Sequence, residues 1–301
     1  NSVKQWPGTP ESYFELLALA SRTIHEIDPK AVVQNGGVAS ASLALARVAD
    51  LYRGGDMEAA LTLAQQTLRE SPSGGPDRRV PESPEELELL LATEDVRRAV
   101  AWVALEVANQ DAYDVFQMHY YGPWQNLAPL IEWVRSQGID KPIEAWELGR
   151  RYKGQTPFSD ENHANEMVKL LTVAAGEGLR LNTWVRATDW DEKDLPGLFS
   201  PAGEIHPAYG AFVVLAEQLE GAREPRRADL GPDVWAYQFT RDDGEVLVLW
   251  SESGEDATAT IPDRATSASS TGCRSLGGVF TRSRARLTAR PTTSARVTAA
   301  R

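Results

Sequence analysis

The sequence of 301 residues contains a single cysteine, Cys273, which excludes an internal disulfide and a cysteine-rich zinc site. It also lacks long apolar runs. The best candidate, residues 99–108, contains Glu106 and is far shorter than the roughly 18 residues that a membrane span needs. The first residues lack the character of a signal peptide, and they leave secreted and cytoplasmic locations open. We therefore expect neither a disulfide-stabilised nor a membrane-spanning protein.

Positive charge is scarce over most of the chain. The final segment, residues 265–301, holds seven arginines and no lysine or acidic residue. The first 264 residues carry 24 basic and 43 acidic side chains, a net charge of about −19. Because an acidic body repels phosphate backbones, nucleic acid is not expected as a partner. The composition, 42% hydrophobic and 25% charged, is that of a globular protein.

Residues 265–301 differ from the rest of the chain in composition. Ser, Thr, Arg and Ala dominate, and no apolar period of a helix or a strand is sustained. Such a segment buries too little apolar surface to offset its ordering entropy, so it is predicted to be disordered. The mixture is typical of a GC-rich gene read out of frame, which is the preferred interpretation. A basic arm for a polyanion is the alternative.

Strand-like and helix-like segments alternate through the first 222 residues. Four short apolar runs are predicted to be strands: 31–35, 114–119, 142–147 and 179–185. The predicted helices are 11–27, 41–53, 56–70, 85–109, 126–136, 161–176 and 207–219. This alternation predicts an α/β fold with a parallel sheet covered by helices.

The pattern changes after Gly221. Residues 234–240 and 245–250 alternate polar and apolar side chains on either side of a turn, as a β-hairpin does. We predict three regions: an α/β region 1–222 with a helical insertion 41–109, an incomplete β-rich accessory domain 223–264, and the tail 265–301. The stretch 55–72 resembles one tetratricopeptide unit. No second copy follows, so a helical insertion is preferred over a helical adaptor.

Polar and aromatic side chains lie at the C-terminal ends of the predicted strands: His119, Tyr121, Glu147, Asn182 and Trp184. In a barrel of parallel strands such residues line the active-site mouth. A carboxylate can attack or stabilise an oxocarbenium-like centre, and aromatic faces stack on pyranose rings. The four histidines are far apart and lack metal-ligand spacing. The sequence therefore favours sugar chemistry without a metal site.

Residues 141–149, K-P-I-E-A-W-E-L-G, resemble the seventh-strand motif of the clan A retaining glycoside hydrolases, which are cellulase-like and xylosidase-like (β/α)₈ barrels. Residues 114–121, D-V-F-Q-M-H-Y-Y, are similar to the sixth strand of that family, which ends in H-x-Y. Residues 207–221 resemble the last helix, and the hairpin 234–250 is similar to the β-sandwich appendage. The resemblance covers about residues 1–262. It implies a partial TIM barrel, strands five to eight, followed by the start of an antiparallel β-sandwich.

The resemblance also implies roles for individual residues. These are Glu147 as nucleophile, His119 and Tyr121 as its support, and Trp184 as the aromatic that closes the sugar site. Two further substrate contacts are predicted from position alone: Asn182 on the fourth strand and Trp190 in the loop beyond it. The reaction would be retaining hydrolysis of an oligosaccharide, a polysaccharide or a small glycoside, with no metal or organic cofactor. Glu144 is expected to face away from Glu147, because an odd number of positions separates the two along the strand.

The sequence departs from the family at its start. Family members carry Asn-Glu after strand four, and that Glu is the general acid/base. In one register the acid/base lies before Asn1, and in the other Ser2 takes its place. The first register is preferred because it keeps the spacing to Trp6. Either register predicts a fragment without its acid/base that is inactive alone. The alternative is a noncatalytic carbohydrate-binding or scaffolding protein that uses the same aromatic mouth.

Overall fold

The computed structural model describes residues 6–70, 79–152, 158–189, 195–253, 257–261 and 293–297. The chain divides into two compact units. Unit 1 comprises residues 1–157 together with Leu179–Val185, and unit 2 comprises Phe158–Gly178 together with residues 186–301. This division differs from the predicted boundary at 222/223.

Unit 1 contains a four-stranded parallel sheet. Its strands, in spatial order, are β1 (Val38–Ala39), β2 (Phe116–Tyr120), β3 (Ile143–Leu148) and β4 (Leu181–Trp184). Each neighbouring pair is parallel, so the carboxyl ends of all four strands lie at one edge of the sheet. The predicted α/β class and parallel sheet are confirmed. The described strands do not close into a barrel, which in the (β/α)₈ form has eight strands.

Helices precede and separate these strands. The first, α1 (Pro10–Ile27), begins with a proline in its first turn and with Thr9 as N-cap, whose Oγ1 accepts the backbone N–H of Ser12 at 3.2 Å. The others in unit 1 are α2 (Ser40–Arg53), α3 (Met57–Glu70), α4 (Pro84–Leu91), α5 (Glu94–Ala108) and α6 (Leu127–Ser136). Four of these helices, α2 to α5, lie in the described part of the region 40–109.

The single helix predicted over 85–109 is wrong. Helix α4 ends at Leu91, and Thr93 acts as the N-cap of α5 by accepting the backbone N–H of Val96 through its side chain. An N-cap residue has a non-helical backbone conformation, so the helix is interrupted at Thr93. The apolar period of the sequence continues across this break and therefore does not reveal it.

Helices α2 to α5 pack through two apolar clusters. One joins α2 to α5 and contains Leu45, Ala49, Val96 and Ala99. The other joins α2 to α3 and α4 and contains Val48, Ala60, Ala64 and Leu87. The two clusters use adjacent faces of α2, so that helix packs against both α5 and the pair α3 and α4.

The predicted strand 31–35 forms only an isolated bridge, between Gln34 and Val115. Asn35 then interrupts the ladder, since its side-chain Oδ1 accepts the backbone N–H of Gln117 at 2.6 Å. Gly37 has a φ of 70°, and pairing with β2 resumes only in β1. The first strand is shorter and later than predicted because the Asn-Gly-Gly sequence turns the extended backbone.

Strand β3 carries a β-bulge at Trp146. Two consecutive residues of β2 pair with Ala145 and Glu147, so Trp146 is passed over. On the β4 side the register shifts between Ala145 and Leu148. One extra residue reverses the alternation beyond it, so Glu144 and Glu147 face the same side of the sheet. The expectation that they face opposite sides is wrong because it assumed unbroken alternation.

The side chain of Glu106 lies in the interior of unit 1. Glu106, which interrupts the apolar run 99–108, is 1% exposed. Its Oε1 accepts the indole N–H of Trp102 at 3.1 Å. Burial disfavours the charged form and raises the pKa of Glu106 to about 7. The stability of this unit therefore depends on pH near neutrality.

Unit 2 combines the helices α7 (Asp160–Gly176) and α8 (Pro207–Leu219) with the strands β5 (Arg223–Arg227), β6 (Val234–Arg241) and β7 (Gly244–Ser251). Strands β6 and β7 form the predicted hairpin. At the end of α7, Gly176 leaves room for the ring of Tyr237, whose hydroxyl donates to Glu177. This packing explains why the two helices group with the strands that follow them.

Strand β5 was not predicted from the sequence. Its residues, R-E-P-R-R, are all exposed and provide no apolar face. It pairs with β6 alone in the described three-stranded sheet, with a register shift between Arg223 and Arg226. Proline is tolerated at such an edge because one side of the strand needs no donor.

Part of the segment predicted to be disordered forms a strand. Strand β9 (Thr293–Val297) pairs antiparallel with β8 (Ala257–Ile261). The prediction therefore does not hold for these five residues, and the rest of 265–301 lies outside the described residues. Across the described ranges, no helix combines the length and the apolar character that crossing a membrane requires.

Candidate functional site

Glu147 lies near the carboxyl end of β3, where the strands of the sheet end. Its side chain is 39% exposed, and it is registered with His119 of β2. Just beyond it, the backbone N–H of Gly149 donates to the carbonyl of Tyr120 at 2.9 Å. A Cβ at Gly149 would lie 3.1 Å from the ring of Tyr121. The glycine thus lets this tyrosine lie against the end of β3, within reach of Glu147.

Two donors from the end of β2 meet at one oxygen of Glu147. The hydroxyl of Tyr121 donates to Oε2 at 2.5 Å, and Nδ1 of His119 lies 3.1 Å from the same atom. Both contacts therefore anchor the same oxygen of the carboxylate.

These donors also set the charge of the group. The hydrogen bond from His119 lowers the pKa of the Glu147 carboxyl most, and the bond from Tyr121 acts in the same direction. Partial burial opposes them, but the pKa stays below its ordinary value. Glu147 is therefore ionised at neutral pH and partly accessible, as a nucleophilic carboxylate must be.

Tyr121 is oriented by contacts on both sides. Its backbone N–H donates to Oγ of Ser40 at 3.4 Å, and the guanidinium carbon of Arg151 lies 5.5 Å from its ring centroid. The preceding Tyr120 is buried, and its hydroxyl donates to the carbonyl of Pro123 at 2.7 Å. The two tyrosines therefore point in different directions, as the alternation of a strand predicts.

An open cleft of about 640 Å³ lies on the same face of the sheet as Glu147. The residues that line it are Val32, Gln34, Glu144, Trp146, Arg180 and Leu181. Trp146 is 45% exposed, which is unusual for an indole ring. The cleft therefore combines an accessible aromatic surface with planar polar groups.

Glu144 is the buried acid of this cleft, and it is 4% exposed. Arg180 contacts its Oε1 through Nε at 2.6 Å and through a terminal nitrogen at 2.5 Å. Its Oε2 accepts from the amide of Gln34 at 2.8 Å and from the indole of Trp146 at 2.7 Å. Both oxygens are fully engaged, so Glu144 organises the cleft wall.

The predicted substrate contacts on β4 lie apart from the acid. Asn182 pairs with Ala145 and Trp184 pairs with Leu148, and both partners are fully buried. Because paired residues of a sheet share a face, both side chains are placed opposite Glu147. The structure therefore brings together Glu147, His119 and Tyr121, and it does not bring Asn182 and Trp184 to them.

Trp190, the third predicted substrate contact, lies outside the described residues. Its neighbour Asp189, in unit 2, accepts the backbone N–H of Gly197 at 2.6 Å and lies 2.9 Å from Nε2 of His206. Within the described ranges, no group of three His, Cys, Asp or Glu side chains is placed to hold a metal ion.

Gln117 belongs to the site, although it was not among the predicted residues. It lies two residues before His119 on the same face of β2, and its amide nitrogen is 2.8 Å from Nε2 of the imidazole. Alternation was the signal that could have identified it, because Gln117 and His119 are the two polar residues of an otherwise apolar strand.

No model of a protein family matches the sequence, and no similar curated protein was found. Among solved structures, the chain is similar to a GH39 β-xylosidase from Caulobacter crescentus, with 16% identity, a TM-score of 0.40, and coverage of 83% of this chain and 43% of that one. It is similar to a glucosidase from Croceicoccus marinus with 17% identity, a TM-score of 0.44, and coverage of 88% and 47%. It is also similar to a GH30 endoxylanase from Clostridium papyrosolvens, with 18% identity, a TM-score of 0.40, and coverage of 81% of this chain and 58% of that one. The chain spans about half the length of these structures.

Proposed function

We propose that Glu147 is the nucleophile of a retaining glycoside hydrolase site. The observation that carries this proposal is the convergence of Tyr121 and His119 on Oε2 of an ionised, partly exposed carboxylate. Oε1 attacks the anomeric carbon of a glycoside, and the bond to the leaving-group oxygen breaks. Water then hydrolyses the resulting glycosyl ester and regenerates the carboxylate.

Tyr121 and His119 act as supporting donors in both steps. Before attack they stabilise the ionised form of Glu147, so the nucleophile is available at neutral pH. In the second step, negative charge returns to the departing carboxylate, and the same two hydrogen-bond donors stabilise it. Their role is therefore to hold the acid as a good nucleophile and a good leaving group.

The cleft on the same sheet face as Glu147 offers groups that suit a carbohydrate. The exposed ring of Trp146 offers an apolar platform for a sugar ring, and Gln34 and Arg180 provide planar polar groups for its hydroxyls. A noncatalytic carbohydrate-binding protein would use the same surface, and this is the second candidate function.

A retaining mechanism also needs a carboxylic acid about 5–5.5 Å from the nucleophile to protonate the leaving group. Glu144 does not suit this role, because Arg180 neutralises it and both of its oxygens are bonded. We assign the role to no described residue. Turnover of ordinary glycosides is therefore expected to lack the roughly 10²–10⁴-fold that a general acid contributes, whereas attack on a glycoside with an activated leaving group needs no proton donor.

Covalent trapping tests the nucleophile directly. The chain is incubated with 2-fluoroglycosides that carry a dinitrophenyl leaving group, in pentose and hexose configurations, and digested peptides are analysed by mass spectrometry. We expect the sugar on Glu147 and no labelling of Glu147→Gln. The control, Glu245→Gln, removes an exposed carboxylate of unit 2 and should label like the unaltered chain.

Two outcomes contradict the proposal. Labelling of Glu144 would place the nucleophile elsewhere on β3. A folded chain that resists labelling while binding oligosaccharides in calorimetry would favour the noncatalytic function.

A further inference from the structure

Gln117 contacts the ring nitrogen of His119 that points away from Glu147. The Gln117 side chain is 7% exposed, and its Nε2 lies 2.8 Å from Nε2 of His119. The other ring nitrogen, Nδ1, lies 3.1 Å from Oε2 of Glu147. The three side chains form a continuous series from a buried amide, through an imidazole, to a carboxylate.

The loop before β1 holds Gln117 in place. Asn35 accepts its backbone N–H at 2.6 Å. Gly37, with a φ of 70°, packs so closely that a Cβ there would overlap Oε1 of Gln117 and would lie 2.8 Å from Nε2 of His119. The loop therefore leaves the amide no free space on the Gly37 side.

We infer that Gln117 is a positioning residue that keeps His119 neutral, with its proton on Nδ1 and directed at Glu147. An amide N–H that donates to Nε2 requires that nitrogen to be an acceptor. A neutral imidazole with an acceptor at Nε2 carries its proton on Nδ1. The inference rests on the proposed role of Glu147 as nucleophile.

A neutral ring matters because of the charged groups around it. Glu147 faces His119 from β3, and Arg151, which follows β3, lies against Tyr121. On the β1 side the registered residue, Ala39, has no charge. A protonated ring would form an ion pair with Glu147 and weaken its attack. A neutral ring orients the carboxylate and leaves its negative charge available.

Nitrogen NMR of the 301-residue chain at neutral pH tests this state. The His119 signals are identified by their loss in His119→Asn. Unaltered protein should show a protonated Nδ1 and an unprotonated, hydrogen-bonded Nε2. In Gln117→Glu the new carboxylate only accepts, so the ring should become doubly protonated.

Two further variants separate a positioning role from a structural one. Gln117→Met removes the amide at similar size, so the Nε2 signal should move downfield to the value of a nitrogen without a hydrogen bond. It also keeps the inference testable if Gln117→Glu does not fold. Gln34→Met removes another amide from the same sheet face and should leave both His119 signals unchanged.

Labelling by the activated 2-fluoroglycosides distinguishes the inference from the proposed function. Gln117→Glu should label Glu147 about tenfold more slowly, equivalent to about 1.4 kcal/mol. A proton on Nε2 in the unaltered protein, or no change in Gln117→Glu, overturns the inference even if Glu147 is labelled. If the nitrogen signals are as expected but no residue is labelled, the proposal that Glu147 is the nucleophile is contradicted and the inference about Gln117 is retained.

Discussion

Glu144 and Glu147 lie on the same face of β3, but their side chains have different partners and different exposure. Glu144 is buried and forms an ion pair with Arg180 at 2.5 Å. Glu147 is partly exposed and accepts from the hydroxyl of Tyr121 and from His119. One carboxylate is thus anchored in the cleft wall, while the other is partly accessible at the end of the strand.

The ion pair of Glu144 predicts a specific loss of stability. Glu144→Gln removes the charge that Arg180 contacts and places amide hydrogens among existing donors. Because Arg180 is half-exposed and can regain water, we expect a loss of about 1–2 kcal/mol in the free energy of unfolding. Urea denaturation measures it. Glu245→Gln, which breaks a longer pair with the exposed Arg226, should cost less than about 1 kcal/mol. Equal losses would contradict the prediction.

Tyr121→Phe should raise the pKa of Glu147. Loss of one donor removes stabilisation of the ionised form, and a bond worth about 1 kcal/mol corresponds to a rise of somewhat less than one pH unit. Carbon NMR of the carboxyl group, identified by its loss in Glu147→Gln, follows the titration. Tyr120→Phe is the matched control, because its hydroxyl bonds Pro123. A shift of similar size in the control would show that the effect is not local.

Glu106 should make stability fall as pH rises. Burial raises its folded pKa to about 7, so its neutral form suits the fold, and stability is lost progressively between the unfolded pKa and about pH 7. The free energy of unfolding of Glu106→Gln, measured relative to that of the unaltered chain, should therefore increase by about 2–3 kcal/mol from pH 5 to pH 8. Urea unfolding at both pH values measures this difference.

The control for Glu106 is Glu15→Gln, which removes an exposed carboxylate of α1. Its stability relative to the unaltered chain should change little between the two pH values. A Glu106→Gln difference that is equally small would mean that the carboxyl group is not desolvated in the folded protein.

Gly37→Ala should be more disruptive than Gly55→Ala. Both glycines have positive φ, of 70° and 86°, so both substitutions carry a backbone penalty of about 1 kcal/mol. A Cβ at Gly55 meets nothing within 4 Å, whereas one at Gly37 overlaps Gln117. We expect a thermal melt to show the larger loss in Gly37→Ala, together with altered nitrogen signals of His119. Equal losses and unchanged signals would contradict the close packing of the loop.

The open sheet face predicts self-association. Strands β1 and β4 are the edges of the described sheet, and Val32, Trp146 and Leu181 are exposed on one face. Sedimentation velocity should show concentration-dependent association, which Leu181→Lys reduces. The control Leu89→Lys changes an exposed leucine of α4 and should leave association unchanged. A monodisperse monomer at all concentrations would contradict this prediction.

Local signals predicted the helices well, except for the break between α4 and α5. Residues 11–27 were predicted and α1 spans Pro10–Ile27, because the cap, the first-turn proline and the apolar spacing all lie within the helix itself. Strand β3 was likewise predicted to within one residue at each end. Strand β5 was missed because its five exposed residues carry no pattern, and its existence depends on pairing with β6.

For the site, the order of residue types along the chain was sufficient to select Glu147, His119 and Tyr121 as a group. Each follows an apolar run at a strand end, and parallel strands end together. The sequence by itself therefore determined which side chains meet at this edge of the sheet. It could not select Gln117, because the role of that residue depends on a contact with the imidazole of His119.

Only the tertiary structure decided which way the residues of β3 and β4 face. The bulge at Trp146 brings Glu144 to the side of Glu147, and the register of β4 puts Trp184 on the other side. A bulge is set by the pairing of a strand with its neighbours, and those neighbours are distant in sequence. Residue types and their spacing are local properties of the chain, whereas register and facing are properties of the assembled sheet.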